Sequence, residues 1–237
     1  ASETGLHLFP VESLDRPPIE IGTYTTQVRP IDVAVGNDVY VAEGDDGTSV
    51  IDATDPSLAF ETAHLATRWT AVEVTVADDL VFVTDSSDGI TVLDVSDSYA
   101  PSQLGRYSAE TWRTTFGMAI SGHLGYIADG RGLTVIDISD PSAPAAVGQL
   151  DLAAAREELW LRSVAVAGRF TYVTETSRHW RLGRAGTISV IDTIDPSLPV
   201  LLVTRGVASE VRDIVVEGGY AYAACDRELQ IMDVSNA

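Results

Sequence analysis

Five stretches of the chain repeat one order of short apolar runs and turn-forming residues. Each contains an apolar residue followed by aspartate: Ile51-Asp52, Leu93-Asp94, Ile136-Asp137, Ile191-Asp192 and Met232-Asp233. The aspartates are 42, 43, 55 and 41 residues apart. Short strands at a period of that size predict an all-β radial array, a β-propeller, in which each repeat is one small sheet.

Aligning the repeats on the aspartate predicts four strands in each. The first is compact and apolar: Ile31–Val35, Val72–Val76, Phe116–Ile120, Arg162–Val166 and Arg212–Val216. Small residues alternate there with Val, Met and Ile, which predicts an innermost strand buried on both faces. A short turn leads to a second strand with an aromatic at one fixed place, at Tyr40, Phe82, Tyr126, Tyr172 and Tyr222. The aspartate motif is the third strand. The DPS or DPSxP after it is a turn signal, because Pro cannot donate to a ladder. A fourth, outer strand reads QLGRY, AVGQL or LLVTR.

The fifth repeat stops at Ala237 with no outer strand after it. Pro18-Ile19-Glu20-Ile21-Gly22-Thr23-Tyr24 matches Pro101-Ser102-Gln103-Leu104-Gly105-Arg106-Tyr107 in its Pro-to-Gly spacing, and Pro144 to Gly148 repeats it. The expected fold is therefore a single five-bladed propeller over residues 18–237, closed by an N-terminal outer strand that completes the last blade. Such closure removes the open edge. Residues 1–17 fall outside the repeat and are expected to form an arm across one face.

The pattern VAVxGxxxYVADxxxGLxVIDVSDPSxPxxVGxY resembles the LVIVD-repeat family of β-propellers. The resemblance covers residues 18–237, with the third repeat the best match. It implies the fold and an extracellular, periplasmic or cell-surface location, since the family occurs mostly on bacterial and archaeal secreted or surface proteins. It implies no activity.

Composition narrows the partners. The net charge is −20, and all 15 basic residues are Arg. A field of that sign argues against nucleic-acid backbones and anionic membrane surfaces. The acidity and the lack of Lys fit either a halophilic source or a compositional bias. No run of 18 apolar residues predicts a membrane span. The chain starts at Ala1 without Met, as a processed secretory protein, a trimmed chain or a fragment would. Cys225 is alone, so there is no intrachain disulfide and no multi-Cys metal site.

Candidate chemistry gathers at one predicted end of the strands. Trp69, Trp112 and Trp160 precede first strands, and Trp180 lies in a long hairpin insertion, Thr176–Gly186, beside His179 and several Arg. Aromatic residues on loops of a rigid ring are strong anchors for sugars or partner proteins, although each Trp could equally cap its own blade. Arg162 and Arg212 stand where the family repeat carries Arg before the inner strand. One residue on are Asp32, Glu73 and Asp213. Three carboxylates at a channel mouth resemble the layout of five-bladed glycosidases, where an acid and a base flank the scissile bond. Ion pairs of Asp213 and Glu73 with Arg162, Arg212 or Arg68 are the stronger explanation. A second acidic column, Glu43, Asp85, Asp129 and Glu175, suits hydrogen bonding to turn amides. No metal-ligand spacing, phosphate loop or dinucleotide fingerprint is present.

The expectation is a non-catalytic binding or scaffolding propeller with no cofactor and no metal. It would recognise a protein or glycan partner through Trp69, Trp112, Trp160, Trp180, Arg162, Arg212 and His179. The rival is a carbohydrate-active protein, a lectin or a glycosidase using Asp32, Glu73 and Asp213. A third reading is an architectural subunit of a larger surface assembly.

Overall fold

Each repeat folds into an antiparallel sheet whose strands follow chain order. The computed structural model describes residues 5–10, 19–87, 89–108, 114–152, 159–177, 186–207 and 209–235, with the side chains of 159, 160 and 177 outside that description. The chain divides into two compact units, residues 1–108 and 109–237.

In the first unit β1 (Leu6–Leu8) pairs with β2 (Gly22–Tyr24) in a two-stranded sheet. Part of the segment expected as an arm is thus a strand; residues 1–4 and 11–18 lie outside the described residues. One four-stranded sheet follows from β3 (Asp32–Val35), β4 (Val39–Ala42), β5 (Thr48–Asp52) and β6 (Phe60–Leu65). The next comprises β7 (Ala71–Ala77), β8 (Leu80–Asp85), β9 (Gly89–Asp94) and β10 (Ser102–Tyr107).

The second unit opens with β11 (Thr115–Ser121), β12 (Leu124–Asp129), β13 (Gly132–Asp137) and β14 (Ala145–Asp151). Its second sheet is β15 (Leu159–Ala167), β16 (Phe170–Ser177), β17 (Gly186–Asp192) and β18 (Val200–Val207). The last has three strands, β19 (Val211–Glu217), β20 (Tyr220–Cys225) and β21 (Leu229–Asp233). The described residues are all-β, with six antiparallel sheets of mostly four strands. Among them no helix is long and apolar enough to cross a membrane.

The first strands are buried only in part: Val74, Met118, Val164 and Ile214 belong to the core. Val33 and Val35 of β3 and Val215 of β19 are exposed, whereas all of β4 is buried and so is nearly all of β8, β12 and β16. The physical reason is position within the sheet. The first strand is an edge strand, and the second and third are paired on both sides. Tyr40, Phe82, Tyr126 and Tyr172, the fixed aromatics, fill the buried layer.

Two kinds of bulge recur. Between third and fourth strands the register slips at Val50/Ile51, Gln103/Gly105, Val135/Ile136 and Val190/Ile191. Thr62, Leu104, Val147 and Leu202 are thereby left out of the ladder on the four outer strands. A slip also interrupts first strands at Ala71/Glu73, Thr115/Gly117, Leu161/Val164 and Val211/Asp213. An extra residue bends a strand and re-aims its side chains.

The repeated aspartates hold the turns. Asp52, Asp94, Asp137, Asp192 and Asp233 each accept a hydrogen bond from the amide two residues on, at 2.8–3.0 Å. Asp55, Asp97, Asp140 and Asp195 do the same for Ser57, Tyr99, Ser142 and Ser197, each at 3.0 Å. Short polar side chains closing such turns explain why Asp recurs at both places.

Two strand glycines, Gly148 and Gly22, meet the DPS turns closely. A Cβ on Gly148 of β14 would stand 2.0 Å from the carbonyl oxygen of Pro196, in the turn of the following sheet. The same contact occurs in the first unit, where a Cβ on Gly22 of β2 would lie 1.6 Å from the carbonyl oxygen of Pro56. Only a residue without Cβ lets the two backbones approach so closely.

Candidate functional site

The first-strand bulges carry the site. In the second unit Arg162 and Ser163 are the residues displaced between Leu161 and Val164, and Arg212 is displaced between Val211 and Asp213. The Arg positions of the repeat are therefore bulge positions. Their side chains leave the ladder and reach sideways, where each meets an acid.

Arg162 Nη2 donates to Glu210 Oε1 at 2.6 Å, and Arg212 Nη2 lies 4.0 Å from Glu210 Oε2. Arg212 Nε donates to Asp226 Oδ1 at 2.8 Å. The Glu210 side chain is 2 % exposed, so one buried carboxylate sits between two guanidinium groups. The Asp226 amide donates to the Glu210 carbonyl at 3.0 Å, which ties the β20–β21 hairpin to the loop entering β19. Hydrogen bonding to Asp226, followed by the Glu210 charge, raises the Arg212 pKa.

The proposed channel-mouth carboxylates have backbone and hydroxyl partners. In the first unit Asp32 Oδ2 accepts from the Val74 amide of the neighbouring sheet at 3.0 Å. In the second unit Asp213 Oδ1 accepts from Ser163 Oγ at 2.7 Å and from the Ile214 amide at 2.8 Å. Both aspartates bridge one sheet to the next. Glu73 follows the β7 bulge, opposite Thr84.

Trp69 is the described tryptophan with an exposed side chain, at 47 %. Its backbone is fixed from several directions. The Trp69 amide donates to Asp85 Oδ2 at 3.1 Å, and Thr67 Oγ1 donates to the Trp69 carbonyl at 2.6 Å. Gly44 and Ala71 exchange backbone hydrogen bonds of 3.1 and 2.9 Å, and the Ser86 amide reaches the Thr70 carbonyl at 3.0 Å. Thus the loop entering β7, the β4–β5 hairpin and the β8–β9 hairpin share one end. Burial raises the Asp85 pKa, against the Ser87 and Trp69 amides and the charges of Arg106 and Arg68.

Trp160 lies on β15 opposite Thr176, with its side chain outside the described residues. Trp112, Trp180 and His179 also lie outside them. The described residues hold no cluster of three His, Cys, Asp or Glu arranged for a metal ion.

The second acidic column supplies internal acceptors. Asp129 takes the amides of Arg131 and Gly132 at 2.8 and 3.1 Å and the Thr134 hydroxyl at 2.9 Å. Glu175 takes the hydroxyls of Thr187 and Ser189 at 2.7 and 2.6 Å. Glu43 Oε2 lies 2.6 Å from the Ser49 hydroxyl oxygen. Sequence reasoning missed Glu210 and Asp226 because neither recurs between repeats; the one available signal was Glu210 two residues before an expected Arg.

Known proteins place the fold but no chemistry. The LVIVD repeat matches residues 31–67, 70–109, 113–151 and 208–237. Among curated proteins no relative matches. A solved protein from Lactobacillus plantarum is 15 % identical, covering 99 % of this chain and 80 % of its own, with a TM-score of 0.76. A functionally unknown protein from Desulfotomaculum acetoxidans is 11 % identical over 98 % of this chain and 77 % of its own, TM-score 0.74. The β-propeller domain of Cps50 (Swd1) from Myceliophteria thermophila is 11 % identical over 92 % and 74 %, TM-score 0.67. The likeness is one of fold alone.

Proposed function

Because the chain belongs to the LVIVD repeat family, we propose that it is a non-catalytic binding or scaffolding β-propeller working outside the cytoplasm. It recognises a protein or glycan partner through the face that carries Trp69, Trp112, Trp160, Trp180, Arg162, Arg212 and His179. The observation that carries this reading is the display of Trp69. Its half-exposed indole stands on a loop held by Asp85, Gly44 and Thr67. A rigid aromatic presents contact area at little cost in conformational entropy. Asp32 and Asp213, by contrast, are engaged in bonds between sheets.

The ring in this reading has five blades, with residues 18–24 as the outer strand of the last. Two observations support that closure. Gly22 meets Pro56 as Gly148 meets Pro196, and Gly148 belongs to the outer strand of the sheet before the proline's own. The sheet of β19–β21 has one strand fewer than the other repeats.

The test is binding to arrayed glycans, with Trp69→Ala and the double variant Trp160→Ala/Trp180→Ala alongside. A glycan signal lost in the variants makes this a lectin-like module. A signal that survives both variants sinks the recognition face. With no glycan signal, the partner is a protein, to be captured by wild type and lost with the same variants. Asp32→Asn leaves glycan hydrolysis at background throughout.

A further inference from the structure

His64 stands on β6 directly opposite Ser49 on β5. Ser49 is fully buried, and its Oγ lies 2.6 Å from Glu43 Oε2, 3.1 Å from His64 Nδ1 and 3.3 Å from Glu61 Oε2. On the far side of the imidazole, Nε2 lies 2.7 Å from the carbonyl oxygen of Asp46. Tyr24 of β2 donates to Glu61 at 3.0 Å. Glu43, Asp46, Glu61 and Tyr24 are thus the titratable residues around His64 and Ser49.

Counting protons decides the state of this cluster. A carbonyl oxygen only accepts, so Nε2 bears a hydrogen. Ser49 has one hydroxyl proton and two close partners, Glu43 and Nδ1. If it donates to Glu43, the contact with Nδ1 requires a proton on Nδ1. If it donates to Nδ1, the contact with Glu43 requires a proton on Glu43. Either arrangement holds one exchangeable proton in the Glu43–Ser49–His64 set, and losing it leaves one of the two contacts without a hydrogen.

The hairpin that this set pins is the bracket of the Trp69 loop. Glu43 and Asp46 lie at either side of its turn, Gly44 exchanges hydrogen bonds with Ala71, and Thr70 Oγ1 donates to Asp45. We infer that the Glu43–Ser49–His64 set is a proton-dependent clasp that holds the Trp69 loop in place and releases it as the shared proton is lost at rising pH. The inference rests on the reading of that loop as a recognition surface and names its regulation. The sign agrees with the burial of Glu43, which raises its pKa against the Ser49 bond and the His64 charge. A group that holds its proton more firmly when folded contributes stability present at low pH and lost as pH rises.

Hydrogen exchange of the intact chain tests the clasp without any partner. Corrected for intrinsic base catalysis, protection of the Gly44 and Ala71 amides should fall several-fold as the pH is raised. His64→Gln, which keeps a donor toward Asp46 but does not titrate, should make that protection independent of pH, and Glu43→Gln should flatten it. Protection that stays constant in the wild type, or falls equally in His64→Gln, overturns the clasp. Loss of partner binding in Trp69→Ala with unchanged exchange behaviour would separate a failed clasp from a failed recognition face.

Discussion

Gly22 and Pro56 are in backbone contact: a Cβ on the glycine would stand 1.6 Å from the proline's carbonyl oxygen. Flexible side-chain adjustment cannot relieve a clash with backbone. Gly22→Ala should therefore lower stability by about 1–3 kcal/mol, the usual range for overpacking. Gly206→Ala is the control. A Cβ there meets nothing within 4 Å and the residue lies on a strand, so the change should be neutral or stabilising by ~0.4–1 kcal/mol. Urea unfolding of both variants measures the contrast.

The proposed closure of the ring can be tested through the register it requires. Val135 pairs with Gly148 and Thr134 with Gln149 in the third repeat, and Tyr126 and Tyr222 pair with Val135 and Ile231. If the proposed closure holds, equivalence with the third repeat would put Gly22 opposite Ile231 and Thr23 opposite Gln230. Thr23→Cys with Gln230→Cys, in a Cys225→Ser background, should form an intrachain disulfide, since bridging demands neighbouring backbones. Non-reducing electrophoresis reads the result. A crosslink between chains would show that the strand comes from a second copy, and none at all would refute the closure.

Removing Glu210 leaves Arg162 without its acidic partner at a partly buried site. Glu210→Ala should cost roughly 1.5–3 kcal/mol, the range for hydrogen bonds to charged groups. Arg212→Ala should cost less, because Arg212 is half exposed and 4.0 Å from the same carboxylate. A double-mutant cycle on Arg162 and Glu210, followed by thermal unfolding, isolates the pair.

Stability should decline at both ends of the pH scale. The hydroxyl and amide donors of Thr54, Ser96 and Ser235 hold Asp52, Asp94 and Asp233 below the ordinary carboxylate range. Their contribution is present above the unfolded value near ~3.9 and is lost as pH falls through the lower folded value. At the other end, burial and the bond to Glu61 push the Tyr24 phenol up to about 12. That contribution is present below the ordinary phenol value near ~10 and is lost as pH rises toward the folded one. Melting temperature against pH should show an acid limb that Asp52→Asn and Asp94→Asn flatten. The alkaline limb should flatten in Tyr24→Phe.

The repeat made the sheets legible because its signals recur. Five aspartates at one place marked the third strand of each repeat, and the bonds from the amides of Thr54 and Ser96 show why aspartate recurs there. Burial was harder to foresee. The alternation in Ile31–Val35 looks the same whether the strand lies at the centre or the edge of a sheet, and it is an edge strand. At the site, the Arg positions were visible and their partners were not. Glu210 occurs once, in a loop, and only the bulges at Arg162 and Arg212 turn both guanidinium groups toward it.

The unpaired residues Thr62, Leu104, Val147 and Leu202 bear on how such a chain survives in a crowded setting. Every four-stranded sheet ends in an exposed edge, and on β18 that edge carries the apolar run Val200-Leu201-Leu202-Val203. A straight edge of that kind would template a neighbour's strand. The bulge at each outer strand interrupts the even row of donors and acceptors that a foreign strand needs. Two copies of this chain meeting edge to edge would therefore lack an even template along which their sheets could fuse.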